Sequence, residues 1–327
     1  MRVRRREFIA GLGGAAAWPL AGHAQQPELI RRVGWLIGYF ENDPFARRIV
    51  TAFVTALARS GWVEDKNIRI DYRFAAGDPT LAKTYAAELV DLTPDAILAS
   101  PGLGVFPLRQ QTRTIPIVFV LMPDPVELGV VQSVARPGGN ITGFASYDAS
   151  IIGKWVQLLK QVAPGVTRVA VIFNPETAYA PPLSHEIEAA RSFGVTVTLA
   201  PVHDDAAIDG AIAAQASEPG GGLINLPDSF NVRHRDVIIG AATRYSLPLI
   251  GWEVPTAGVL MSYWFDAVEL HAQAASYIDR ILRGASPADL PVQYPTKYQL
   301  IINLKTAKAL GLSIPPGMLD LADEVIE

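Results

Sequence analysis

Residues 33–72 read VGWLIGYFENDPFARRIVTAFVTALARSGWVEDKNIRIDY, and they contain a whole strand–helix–strand unit. Val33 to Ile37 is a short apolar run of the kind that fills a buried strand. Phe45 to Ser60 then sets Ile49, Phe53, Ala56 and Leu57 at helical spacing, and Gly61 follows the last turn where a C-terminal glycine caps a helix. Ile68 to Tyr72 returns to a strand. A helix between two short buried strands is the connection that parallel strands require.

The same alternation runs outward from this unit. Helices are predicted over Leu81 to Leu92 and Val105 to Thr112, with strands at Ala96 to Ala99 and Ile117 to Leu121. After Gly138-Gly139-Asn140 and Thr142-Gly143 the pattern restarts with helix Ile152 to Val162, strand Val169 to Phe173, helix Ser184 to Phe193 and strand Thr196 to Leu199. It continues through helix Ala206 to Ala214, strand Gly222 to Leu226, helix Val232 to Tyr245, strands Pro248 to Ile250 and Gly258 to Tyr263, and helix Val268 to Leu282. At 327 residues the chain exceeds what one core usually occupies. The expected fold is α/β: two Rossmann-like lobes with parallel sheets, side by side across a cleft and joined by a hinge. One lobe spans 31–145 plus about 264–290, the other about 148–260 plus about 291–327. The hinge passes are expected near Phe144 to Asp148, Val254 to Gly258 and Pro291 to Pro295.

Ahead of the lobes, Arg4-Arg5-Arg6-Glu7-Phe8-Ile9 leads into a mildly apolar stretch from Ala10 to Leu20, with small residues at Gly22 and Ala24. Residues 1–24 read as a twin-arginine signal peptide cleaved before Gln25. The apolar run is shorter than the roughly 20 residues of a membrane span, and Gly11, Gly13 and Gly14 weaken it as a helix. Export to the periplasm is the expectation.

Half the residues are hydrophobic and 18% are charged, the balance of a packed protein. The formal net charge of -4 offers nothing to a phosphate backbone, so no nucleic-acid partner is expected. The chain has no cysteine, which removes thiolate nucleophiles, disulfides and cysteine metal sites. His23, His185, His203, His234 and His271 lack metal-ligand spacing. There is no G-x-S-x-G elbow, no P-loop and no G-x-G-x-x-G after the first strand. Neither catalysis, a metal nor a cofactor is expected, and nothing points to an oligomer, so a monomer is.

Ligands of open α/β sheets sit beyond the carboxyl ends of the strands. That rule selects Tyr39, Phe40 and Asn42 after the first strand, Ser100 and Gly102 after the third, and Asp124 after the fourth. Tyr147 and Asp148 lie at the crossover between halves. Asn174, then Asp228, Ser229 and Phe230, follow strands of the second half, and Trp252 and Glu253 lie near the return crossover. Tyr39, Phe40, Tyr147, Phe230, Trp252 and Trp264 form the candidate box for a flat ring. Ser100 and Gly102 offer donors to a carboxylate near a helix start. Asp124, Asp148 and Asp228 are acceptors for an ammonium or hydroxyl, with helix N-capping as their structural alternative.

Several blocks in order resemble the ABC transporter substrate-binding proteins related to TrpX. They are Val33-Gly34-Trp35-Leu36, Ile115-Pro116-Ile117-Val118-Phe119, Asp124-Pro125-Val126, Arg136 to Gly143 (RPGGNITG), and Asn303 to Leu312 (NLKTAKALGL). The resemblance implies a type I periplasmic binding fold with three crossovers. It further implies a solute held between the lobes, an ABC permease as partner, no catalysis and an association with aromatic amino acids. The family's Ser-Asp pair after the Thr-Gly turn is replaced here by Phe144-Ala145-Ser146-Tyr147-Asp148, and its Asp-Asn pair by Asp228-Ser229-Phe230. These departures leave other aromatic acids and small carboxylates open as ligands. Ser100, Asp124, Asp148 and Asp228 are the positions carried over. A sensory receptor feeding a membrane signalling protein, and a hydrolase acting in the cleft, are the competing readings.

Overall fold

The computed structural model describes residues 30–101, 104–146, 150–176, 190–252 and 258–327. The segment read as a signal peptide lies outside these residues, as does most of the helix expected over 184–193. In the first half, strands β1 (Arg31–Ile37), β2 (Ile68–Phe74), β3 (Ala96–Ser100), β4 (Ile117–Met122) and β5 (Ile141–Ala145) form a parallel sheet in the order β2-β1-β3-β4-β5. Helices α1 (Pro44–Arg59), α2 (Pro79–Asp91) and α3 (Val105–Gln111) make the connections. Asp43 and Asp78 cap the first two of these, each followed by a proline, whose fixed φ and missing N–H suit a first helical turn.

Helix α4 (Ser150–Val162) leads into the second half, with β6 (Arg168–Phe173), β7 (Thr196–Pro201), α5 (Asp205–Ala216), β8 (Gly221–Asn225), α6 (Ser229–Arg233), α7 (Arg235–Arg244), β9 (Leu249–Gly251) and β10 (Met261–Trp264). Helix α8 (Ala267–Leu282) follows, then β11 (Gln299–Asn303), α9 (Leu304–Ala309), α10 (Pro316–Leu321) and β12 (Glu324–Ile326). The second sheet runs β7-β6-β8-β9-β10-β11-β12 and is parallel except where β11 meets β10.

The chain passes between the sheets three times. It leaves the first after β5 and returns after β10, when α8 packs on α1 and on the face of β3, β4 and β5. Trp62 Nε1 donates to Asp279 Oδ1 at 2.7 Å and Arg283 Nη2 to the Ser60 carbonyl at 2.9 Å, so α1 and α8 are tied at their ends as well as by apolar packing. The third pass runs beside the first: Gln293 N donates to Gly143 O at 3.0 Å and Ala145 N to Gln293 O at 2.8 Å.

The second pass was expected near 254–258, but β9 and β10 both belong to the second sheet, with Met261 opposite Ile250, so the return comes after Trp264. The single helix expected over 232–245 is two helices meeting at His234. The His234 ring stacks on Phe230 at 4.1 Å and its Nδ1 lies 2.6 Å from Asp205 Oδ1, side-chain contacts that hold the joint. Strand β5 lies where only a glycine-rich turn was read. Gly143 has φ +153, and a Cβ there would lie 2.1 Å from the Phe119 carbonyl oxygen, so this glycine lets two strands approach and does not end one.

Candidate functional site

The carboxyl ends of β1, β3 and β4 face the ends of β6 and β8 across a cleft with two chambers. The outer chamber has a volume of about 540 Å³. Its first wall includes Gly38, Pro101 and Pro123 after strands of the first sheet and Leu121 within β4, with Asp78 and Lys83 from the start of α2 and Phe106 and Gln110 from α3. Its second wall is Pro175, Glu176, Pro227 and Asp228, from loops after β6 and β8. Lys83 is the lining cation of this chamber among the described residues.

The inner chamber is much smaller, about 40 Å³, and its walls are aromatic: Tyr39 and Phe45 from the first half, Trp252 and Trp264 from the second. Ser146, Val232 and Ala267 complete much of the remainder, and Pro101, Leu121, Pro227 and Asp228 line both chambers. Tyr39 meets Phe45 edge-to-face at 5.2 Å, and burial pushes its phenol well above the usual range, so it stays protonated. Leu121 enters the chamber from a bulge in β4, where the pairing shifts between Val120 and Met122, and its φ of +63 is a conformation leucine seldom takes. The bulge turns an apolar side chain into the cleft that regular pleating would place elsewhere.

Of the predicted box, the structure brings together Tyr39, Trp252 and Trp264. Phe40 stands elsewhere, partly exposed, with Arg233 of α6 5.8 Å from its ring centroid. Phe230 is buried in the core of the second half. Asn42 is exposed beside the Asp43 cap, and Asp124, at φ +34, accepts from Glu127 N at 3.3 Å; neither lines a chamber. Asp228 is buried and caps α6, its Oδ1 accepting from Asn231 N at 2.7 Å and its Oδ2 from Asn174 N at 3.4 Å. Asn174 in turn accepts from Glu176 N at 2.8 Å, which shapes the loop that carries Pro175 and Glu176 into the outer chamber. Ser229 opens α6. Gly102, Tyr147, Asp148 and Glu253 lie outside the described residues.

Ser100 was expected to offer its hydroxyl to a ligand carboxylate, and the structure gives that hydroxyl another partner. Its Oγ lies 2.5 Å from His271 Nε2, while His271 Nδ1 lies 2.6 Å from the Ala267 carbonyl. With Nδ1 donating to the carbonyl, Nε2 is the acceptor and Ser100 the donor. Burial lowers the His271 pKa to about 4, against the opposing pull of the Ala267 carbonyl and Asp266, so the imidazole is neutral. Both residues are wholly buried and neither lines a chamber, so the pair fastens α8 to β3 and has none of the access a nucleophile–base couple needs.

Sequence reasoning missed Ser146 as a site residue, along with the outer-wall set of Asp78, Lys83 and Gln110. Lys83 and Gln110 follow their strands by many positions, and a rule confined to strand ends does not reach them, while Asp78 lies in the loop after β2, where it caps α2. Ser146 was visible as the residue after the Phe144-Ala145 pair, but nothing local marks its hydroxyl as buried.

Comparison with known proteins agrees with this architecture. A Tyrosine-binding protein of Clostridioides difficile is 26% identical over 280 residues, covering 84% of this chain and 80% of the relative. The crystal structure of a conserved domain protein from Vibrio cholerae superposes with a TM-score of 0.82 at 28% identity, covering 90% of this chain and 99% of that one. The ABC domain from Streptococcus pneumonia in complex with L-Trp gives 0.80 at 23% identity over the same shares, a likeness of fold. Residues 39–326 match the family described as ABC transporter substrate binding protein, and the chain, with the two-lobed fold of type I periplasmic binding proteins, belongs to that family.

Proposed function

We propose that this protein is the exported solute-binding component of an ABC importer, that it captures a ring-bearing amino acid or carboxylate between its lobes, and that it hands the solute unchanged to a membrane permease. The observation that carries this reading is the pair of chambers between the lobes, one walled by aromatic side chains and the other large enough for the body of a small organic solute. The Tyrosine-binding relative supports an aromatic solute. Capture follows from differential affinity: a solute touching both walls favours the closed arrangement over the open one by the contacts it makes in both lobes at once. Receptor action as a monomer needs no more than this.

A thermal-shift and calorimetry screen of the purified protein against aromatic amino acids, aromatic carboxylates, sugars and purines tests the reading. One aromatic compound bound at a single site and recovered intact is the expected result. A ligand returned chemically altered, or a preference for sugars, would overturn it. Export is tested separately: the periplasmic form should begin at Gln25, and Arg5→Lys with Arg6→Lys should hold the precursor in the cytoplasm.

A further inference from the structure

The inner chamber has polar atoms whose partners are missing. Ser146 and Trp252 both line it, and in both the polar atom, Oγ of the serine and Nε1 of the indole, is buried with no hydrogen-bond partner among the described residues. A buried donor left unpaired is costly, and native proteins rarely keep two beside one cavity unless something visits to satisfy them. The two atoms also constrain what that visitor is. An indole N–H donates only, and a serine hydroxyl lining the same chamber is able to donate as well, so one group that satisfies both must be an acceptor. An ammonium carries no acceptor. Asp228, the carboxylate lining the same chamber, already receives Asn231 N and Asn174 N.

Size narrows the choice further. A chamber of about 40 Å³ has room for about three water-sized atoms, given that one needs roughly 10–15 Å³. That is the bulk of a carboxylate or carboxamide and well short of a benzene ring. The outer chamber, at about 540 Å³, takes what the inner one excludes.

We infer that the solute enters with an oxygen-acceptor end first, a carboxylate or amide carbonyl, received by the Ser146 hydroxyl and the Trp252 indole N–H, while its ring and any ammonium remain in the outer chamber. This rests on the proposed solute-binding role and adds the orientation and head-group class of the ligand. Tyr39 and Trp264 then pack around the carbon that bears the acceptor, and Pro101 and Pro227, shared by both chambers, form the neck between head and body.

Matched probes test it. Calorimetry with 3-(4-hydroxyphenyl)propionate, its amide and tyramine, and with indole-3-propionate, its amide and tryptamine, holds the ring constant and changes only the head. The acid or the amide should bind at least tenfold more tightly than the amine in one series. Ser146→Ala and Trp252→Phe should each weaken that probe about tenfold with the unliganded melting temperature little changed. Ser146→Ala removes a single buried oxygen, so it remains informative if the tryptophan variant misfolds. An amine that binds as tightly as the acid and amide would overturn the inference while leaving an aromatic receptor in place. So would a folded Ser146→Ala protein with affinity within twofold of wild type. If no ring compound of either series binds, the aromatic reading and the inference fall together.

Discussion

Arg235, at the start of α7 in the second half, reaches Asp43, the cap of α1 in the first, with Nη1 3.5 Å from Oδ2. Arg233 of α6 lies over the Phe40 ring a few residues away, so one short loop of the first half meets two arginines of the second. Contacts that bridge the lobes exist only while the lobes are together, and whatever strengthens them adds to the apparent affinity for a solute that requires closure.

Arg235→Gln should therefore weaken solute binding modestly. The pair is partly solvated, and such pairs contribute about 0.2–1 kcal/mol, so the dissociation constant should rise by at most about fivefold. Raising the salt concentration should narrow the gap between variant and wild type, because exposed charges are screened. A gap that persists unchanged at high salt would show that the arginine acts by packing.

The neutral His271 makes stability depend on pH with a definite sign. Its native pKa of about 4 lies below the ordinary 6.5, so between those values the unfolded chain takes up a proton that the native protein excludes. The stabilisation is intact above about pH 6.5 and is lost as the pH falls toward 4, by an amount on the order of 3 kcal/mol if the full shift is realised. His271→Gln should lower stability at pH 7 and flatten the fall between pH 7 and 4.5 in urea titrations. Equal pH dependence in the two proteins would remove His271 as the cause.

Gly143 and Gly139 make a controlled pair. Both have positive φ, but a Cβ at Gly143 collides with the Phe119 backbone whereas one at Gly139 meets nothing within 4 Å. Gly139→Ala should cost about 1 kcal/mol for the left-handed backbone alone. Gly143→Ala should cost roughly 3 kcal/mol or more, because β4 and β5 must separate to admit the methyl group. Denaturant unfolding of the two variants compares them, and similar losses would mean that the strands part easily.

Asp228 caps α6 and lines both chambers, and two substitutions separate these roles. Asparagine retains an oxygen for the Asn231 amide, so Asp228→Asn should stay within about 1 kcal/mol of wild type, whereas Asp228→Ala should lose about 1–2 kcal/mol. A change in ligand affinity in the asparagine variant, with stability held, would assign the charge itself a part in binding.

The alternation of apolar runs in residues 33–72 and their continuation made the parallel sheets and most helices legible, because burial on both faces and the crossover helix each leave a periodic mark in the chain. The rule that ligands sit beyond strand ends brought Tyr39, Trp252 and Asp228 forward, and all three line the chambers. Strand β5 escaped because its glycine reads as a turn until Phe119 is seen against it.

Local sequence determined the α/β class, the doubled architecture and the strand-end loops, since these follow from periodicity and turn chemistry within a few tens of residues. Tertiary structure alone decided what each loop residue does. Ser100 is bonded to His271, 171 positions away, and is withdrawn from the cleft, while Ser146 is buried on the inner chamber, which Trp252 also lines, with no described partner for its hydroxyl. Two serines with similar local surroundings differ because hydrogen-bond satisfaction depends on which distant elements pack against them, and that is settled only when α8 closes on one sheet and β10 completes the other.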